Sequence, residues 1–314
     1  MDILAGELEQ ARARGAVFSV LGRREPWGLE FSGTRPLTAH ILLAGAGVLE
    51  IPGSPGVAVA ARDVVLVTAG TAYRLLGGSA AEAEPIGAAR GRGSDDGPAD
   101  AVILCGAYVL EGSIGGSLLR ALPRVVHLPA PALVAAHSSA IDLLAAEAGS
   151  SGPGQQALLD RLLDLNLVYA LRAWWARAEA EPPGWYRAAG DPFLGRVLDG
   201  LHARPAGAWS VPEMARLAGL SRAAFAARFT AVVGQSPGRY LTGLRMRLAE
   251  DALVRTDAPI ARVAADSGYG NEYAFATAFR RHHGMPPGKW RAEHSQSQTN
   301  GATPMNQGRT ARYR

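Results

Sequence analysis

Two groups of side chains occupy matching places in the last third of this 314-residue chain. One comprises Ser221, Arg222, Ala223, Ala226, Ala227 and Thr230, the other Asn271, Tyr273, Ala274, Ala276, Thr277, Arg280 and Arg281. Each mixes guanidinium groups with hydroxyl, amide or phenol groups and small methyl-bearing residues. Arginine neutralises phosphate, while polar groups and methyls meet base edges in the major groove. The chemistry on offer is contact with duplex DNA, provided that helices present these residues and bury their opposite faces.

The sequence supplies such helices twice. In the first copy Ser210 is an N-cap, Pro212 falls in the first turn and Glu213 supports a capping box. Met214, Leu217 and Ala218 give this short helix an apolar face. Gly219 permits a sharp turn, Ser221 caps the next helix, and Phe225 and Phe229 lie four apart on its buried side. The second copy repeats the plan from Ala258-Pro259-Ile260 through Val263-Ala264-Ala265 and Gly268, with Asn271 as cap and Phe275 and Phe279 as the buried pair. A short helix, a glycine turn and a longer helix make a helix-turn-helix. An all-helical scaffold with aromatic core pairs and no ligand is the alternative, and the doubled turn pattern weighs against it.

The segments between and after these copies carry a resemblance. Gly234-Gln235-Ser236-Pro237-Gly238-Arg239-Tyr240-Leu241, Leu244-Arg245-Met246-Arg247-Leu248-Ala249 and Gly284-Met285-Pro286-Pro287-Gly288-Lys289-Trp290-Arg291 make residues 191–294 resemble the AraC/XylS family of transcription regulators. The resemblance implies a linking helix over about residues 237–254 and two recognition helices in successive major grooves, about 34 Å apart. It also implies activation more often than repression, with RNA polymerase as a partner of an activator. Relatives often carry arginine where this chain has Ala227 and Thr277. Guanine readout is weakened there, leaving Ala223, Ala226 and Ala227 to thymine methyls and Tyr273 and Thr277 to hydrogen bonds.

Charge follows the same division. Residues 191–294 hold 14 arginines and lysines against nine acids, a net +5, whereas residues 1–190 hold 15 against 19, a net −4. Basic charge beside the helix-turn-helix units suits a polyanion. Lys289 is the only lysine, so the arginine excess reflects composition rather than phosphate recognition. No apolar run is long enough to cross a bilayer and no signal peptide is legible at the start, so the expected location is the cytoplasm, with no membrane partner. Cys105 is the only cysteine, which excludes an internal disulfide and a four-cysteine zinc site.

Residues 16–76 read instead as short strands, with alternation at His40-Ile41-Leu42-Leu43 and Gly47-Val48-Leu49-Glu50-Ile51 and turns at Pro52-Gly53 and Arg62-Asp63. Such spacing favours a sandwich or barrel. Pro26 to Phe31, Gly45 to Leu49, Asp63 to Val67 and Cys105 to Tyr108 resemble the cupin-type sensor domain of one AraC subgroup. A catalytic cupin needs about three histidines and a carboxylate on one metal. His40 is the only histidine before residue 127, and Tyr73 stands where a later ligand is expected. No metal and no cofactor are therefore expected, and Trp27, His40 and Tyr73 are the candidates for an effector pocket. Cys105 reads as a small buried residue, with a redox role as the alternative.

Residues 77–100, rich in Gly, Ala, Pro and charge, read as a flexible loop. Two helices follow, Leu133–Ala148 and about Gln155–Ala180. Leu158, Leu162, Leu165 and Tyr169 form one apolar seam on the second, suited to pairing two subunits, while Leu163, Leu167, Ala170 and Trp174 form another face. Both faces lying inside one subunit is an equal alternative. The expected fold is α+β and multidomain: a cupin-like β-barrel (1–130), a helical dimerisation linker (131–190), an all-α DNA-binding domain with two helix-turn-helix units (191–294) and a disordered tail (295–314). The expected function is a homodimeric, sequence-specific transcriptional regulator sensing a small-molecule effector. The alternatives are a cupin metalloenzyme fused to a DNA anchor and a ligand-independent dimeric DNA-binding protein.

Overall fold

The computed structural model describes residues 17–79, 82–92, 94–108, 119–150, 152–177 and 179–299. The chain divides between Tyr186 and Arg187 into two units, each with its own core. No helix among the described residues is long and apolar enough to cross a membrane.

The first unit contains β1 (Val17–Arg23), β2 (Trp27–Phe31), β3 (Leu37–Ala44), β4 (Gly47–Glu50), β5 (Val57–Val59), β6 (Val64–Thr68), β7 (Tyr73–Gly77) and β8 (Glu84–Pro85). Helix α1 (Ile86–Arg92), β9 (Ala101–Tyr108), β10 (Val125–Leu128), α2 (Ala135–Ala148) and α3 (Gln155–Trp175) follow. The strands form two five-stranded sheets, ordered β1-β9-β3-β6-β10 and β5-β4-β7-β2-β8. Every pair is antiparallel except β2 with β8.

Period-two alternation sets the layers. Leu42, Val65, Val67, Ile103 and Cys105 of the first sheet meet Trp27, Leu29, Phe31, Leu49, Tyr73 and Leu75 of the second. The intervening residues Leu37, Ala39, Ile41, Val64, Leu66 and Leu104 point to the other side, against Ile141 and Leu144 of α2 and Leu159, Leu163 and Leu167 of α3. The cupin-type domain is thus two facing sheets, and the closed barrel expected from the sequence is not formed among the described residues. The edges β5 and β8 are three and two residues long, too short to carry a closing ladder.

Residues 77–100 depart from the expected loop. Strand β8 and α1 lie within them because Ala89 is fully buried and Ile86 packs on the inter-sheet core. Buried Arg23 fastens the segment, donating to the Gly22 and Ala89 carbonyls at 2.9 and 3.2 Å and facing Glu84 and Asp95 at 3.7 and 3.6 Å. Small residues under one guanidinium replace the large apolar anchors that the sequence lacks. The second long helix also ends earlier than expected, at Trp175, whose ring packs on Trp185 and Tyr186 as the chain returns.

The second unit is helical: α4 (Gly184–Ala189) straddles the divide, then α5 (Gly195–Ala203), α6 (Val211–Ala218), α7 (Arg222–Val233), α8 (Pro237–Arg255), α9 (Ile260–Asp266), α10 (Glu272–His283) and α11 (Pro287–Thr299). The tail expected to be disordered from Ser295 begins as the end of α11; residues 300–314 lie outside the described residues.

His137 of α2 is buried with neither ring nitrogen hydrogen-bonded, stacked 5.4 Å from Tyr169. Burial pushes its pKa down to about 4, and that of buried His40 down to about 3. Both bind protons more readily unfolded than folded, so stability is full above pH 6.5 and falls as pH drops from there toward those values. His137→Phe is expected to raise stability at pH 7 by about 1 kcal/mol and to flatten the acid slope. Urea midpoints measured between pH 4.5 and 7.5 check both.

Candidate nucleic-acid interface and sensor cleft

In α6 and α7 the expected caps are made. Ser210 Oγ accepts from the Glu213 N–H at 3.3 Å, and Ser221 Oγ accepts from the Ala224 N–H at 3.2 Å. Gly219, at φ 69°, joins the two helices. Phe225 and Phe229 are fully buried 5.6 Å apart, and Phe229 meets Tyr240 of α8 edge-on. The second unit of the pair repeats this. Asn271 Oδ1 accepts from the Ala274 N–H at 2.8 Å, and Phe275 and Phe279 pack with Met246, Ala249 and Leu253 of α8. At the turn between α9 and α10, Gly268 has φ 78°, and a Cβ there would lie 2.8 Å from Ala206 Cα and from Arg245 Nη2.

The arginines fall into two sets. Arg245 donates to the Pro205 and Gly207 carbonyls, Arg291 to those of Leu253 and Ala258, and Arg228 to the Asp191 carboxylate. These are internal staples. Arg222, Arg280 and Arg281 are exposed, and no ion pair or hydrogen bond engages their side chains among the described residues. Beside them Ala223, Ala227, Thr230, Ala274 and Thr277 are exposed, Ala226 and Ala276 are half-buried, and Tyr273 is 84% exposed. Two helices thus offer cations, hydroxyls and methyls to a groove. His283 Nε2 stands 2.8 Å from Glu250 Oε1 and ties the end of α10 to α8. With His282 these form the one grouping of three metal-capable side chains among the described residues.

In the first unit His40 is wholly buried between the sheets. Its Nε2 lies 2.9 Å from Tyr73 Oη and its Nδ1 3.4 Å from Cys105 Sγ, while Phe31 stacks on Tyr73. Burial pushes the Cys105 thiol up to about 12, so it is a poor thiolate nucleophile at neutral pH. A cleft of about 230 Å³ opens beside this group, lined by Phe31, Arg35, Thr38, Tyr73, Ile86 and Arg90 among others. Trp27 does not share it: its indole packs on Gly77 and Gly47, and it lines a different cleft with Arg24 and Glu82.

Residues 2–176 match the cupin family model and residues 214–293 a helix-turn-helix domain model. A putative AraC-like transcription regulator from Streptomyces antibioticus is 32% identical over 298 residues, covering 93% of this chain and 98% of that one. The chain belongs to the AraC family of transcription regulators. The RCS-specific HTH-type transcriptional activator RclR of Escherichia coli (strain K12) is 30% identical over 256 residues, 80% of this chain and 83% of that protein. Among solved structures, the DNA-binding domain of AdpA, a global transcriptional factor, in complex with a target DNA is similar at 27% identity. It covers 36% of this chain and all of that one, with a TM-score of 0.34.

For this AraC-family regulator the structure qualifies several residues singled out in the sequence. The oxygens of Ser221 and Asn271 are taken up by helix caps, and the Thr230 hydroxyl donates to the Ala226 carbonyl at 2.8 Å. On α3, Leu158 and Leu165 are 52% and 39% exposed, whereas Leu162 packs partly on the helix–sheet core and Tyr169 stacks on His137. Of the pocket candidates only Tyr73 lines the cleft; His40 backs it through Tyr73. Arg35, Thr38 and Arg90 were missed. Arg90 sits in a Gly-Ala-Arg stretch with no local signal, and Thr38 shows only as a position two before His40 on the same strand face. Gly268→Ala is expected to destabilise the second unit by more than about 1 kcal/mol, from strain and overlap together. A shifted denaturation midpoint for that unit, with the first unit's transition unmoved, is the reading that checks it.

Proposed function

We propose that the chain is a one-component homodimeric regulator, more often activating than repressing, whose first unit responds to a small organic effector. Residues 1–130 serve as the sensor, 131–190 as the helical pairing region and 191–294 as the DNA reader, acting in the cytoplasm and, in activation, with RNA polymerase. The observation that carries the DNA-reading part is the set of exposed, unengaged arginines beside Tyr273 and Thr277 on twin helices. Arg222, Arg280 and Arg281 serve phosphates; Tyr273 and Thr277 face bases. Ser221, Ala223, Ala226, Ala227, Thr230, Asn271, Ala274 and Ala276 complete the surface, with the two caps acting by placing the helix ends.

The first unit is read as a binding domain rather than an enzyme. Both ring nitrogens of His40 are directed at Tyr73 and Cys105 inside the core, which leaves no nitrogen facing an open coordination position. An effector contacting Thr38 touches strand β3, and one contacting Tyr73 touches β7 of the facing sheet, bonded to His40 of β3; the other face of β3 packs on α3. The exposed leucines of α3 support pairing through that helix, and an effector that favours one arrangement of the pair shifts DNA binding.

Three measurements test these assignments. Arg280→Ala with Arg281→Ala is expected to weaken binding to many duplexes alike and to lower the salt slope by about one per lost phosphate contact. Tyr273→Ala or Thr277→Val is expected to change the preferred site by about 1–3 kcal/mol at one position; identical selected sites before and after both changes would defeat the base-reading role. Leu158→Glu with Leu165→Glu, at exposed positions that spare the core, is expected to yield a folded monomer. Unchanged mass in sedimentation at micromolar concentration would remove α3 as the pairing surface.

A further inference from the structure

We propose that Glu250, His282 and His283 form a binding site for zinc or a chemically similar divalent transition metal, which clamps the end of α10 onto α8. The site lies within the helical unit and goes beyond the DNA reading assigned to it. These three residues are the one grouping of metal-capable side chains among the described residues, with their ligand atoms all within 4.8 Å of one another. Other histidines are placed differently. His127 meets only Asp63, whose carboxylate already accepts from the Ala60 and Ala130 N–H groups. The two ring nitrogens of His40 are taken up by Tyr73 and Cys105.

Consecutive residues on a helix point about 100° apart, yet the His282 and His283 rings come within 4.7 Å of each other. Two imidazoles at the end of one helix therefore converge where side chains ordinarily diverge. Phe279 and Trp290 hold the His283 ring, at 4.3 and 4.7 Å between centroids, so one ligand is set in place beforehand. Its Nε2 stands 2.8 Å from Glu250 Oε1, the two side chains being 10% and 8% exposed. The pair is not aligned as a hydrogen bond, and Nε2 makes none among the described residues. A metal that accepts a lone pair from each atom satisfies both. His282 is exposed, which leaves room for water as a further ligand. Two imidazoles and one carboxylate suit zinc and its neighbours better than magnesium or calcium. The carbonyl end of α10 also lies here, where positive charge is favoured. Arg280 and Arg281 share this last turn, and Arg247 and Arg239 act on His282; all four oppose a cation. The charges of Arg239, Arg280 and Arg281 are exposed and screened, whereas coordination acts at about 2 Å.

The full-length chain, stripped with EDTA, is titrated calorimetrically with zinc chloride and, in parallel, with magnesium chloride. About one zinc per chain is expected to bind, and magnesium about ten-fold or more weakly. His282→Ala, at an exposed position that spares the core, is expected to lower zinc affinity by about ten-fold or more. Glu250→Gln, which keeps the shape of the buried side chain, is expected to do the same. Zinc is expected to raise the unfolding midpoint of the second unit in the unaltered chain and to leave it unmoved in the double variant. A zinc-dependent rise that either substitution diminishes supports the proposal. No zinc binding, equal binding of zinc and magnesium, or zinc binding that survives both substitutions overturns it. Bound zinc that leaves the midpoint unmoved overturns the clamp between α10 and α8.

Discussion

Burial of both faces of the β3-containing sheet is the constraint on which the first unit depends. A strand covered on one side by a second sheet and on the other by helices has no solvent face, so its sequence must be apolar almost throughout. Strand β3 meets this with Leu37, Ala39 and Ile41 toward the helices and Leu42 toward the facing sheet. Of its two polar residues, His40 is tolerable because Tyr73 and Cys105 lie within hydrogen-bonding reach, and Thr38 because it opens onto the cleft. Polar groups placed in such a sandwich become either core fasteners, as His40 does, or the border of a cleft, as Thr38 does.

The DNA-reading unit rests on a different economy. Helices α6, α7, α9 and α10 are seven to 12 residues long, too short to persist alone. The two longer ones, α7 and α10, pack a pair of phenylalanines toward α8, and side-chain caps at Ser210, Ser221 and Asn271 satisfy first amides of α6, α7 and α10. Arginines that the net charge alone would assign to phosphate are spent on carbonyls at the chain's bends, as with Arg245 and Arg291. Charge counts over a domain therefore overstate what faces the nucleic acid.

Much of this was legible beforehand, for a physical reason: caps, glycine turns and aromatic spacing are local signals, and the boundaries of α8 follow Pro237 and Thr256 closely. The strands and their alternation were legible too. What escaped was long-range. Whether ten strands close into a barrel depends on pairings far apart in sequence, and the order of residues 77–100 depends on Arg23, more than sixty positions earlier than Ala89. The cleft was half visible: Tyr73 could be named from its position, but Arg35 and Arg90 come from separate segments that only the fold brings together.

The uses made of Ser221 and Asn271 have a consequence for how such a regulator can change over generations. Their side-chain oxygens hold the first turn of each recognition helix, so substituting them trades helix integrity for any new contact. Ala223, Ala227, Tyr273 and Thr277 carry no such duty and are exposed. If the exposed face proposed above reads the bases, drift in target preference is channelled through four open positions, two of them exposed alanines.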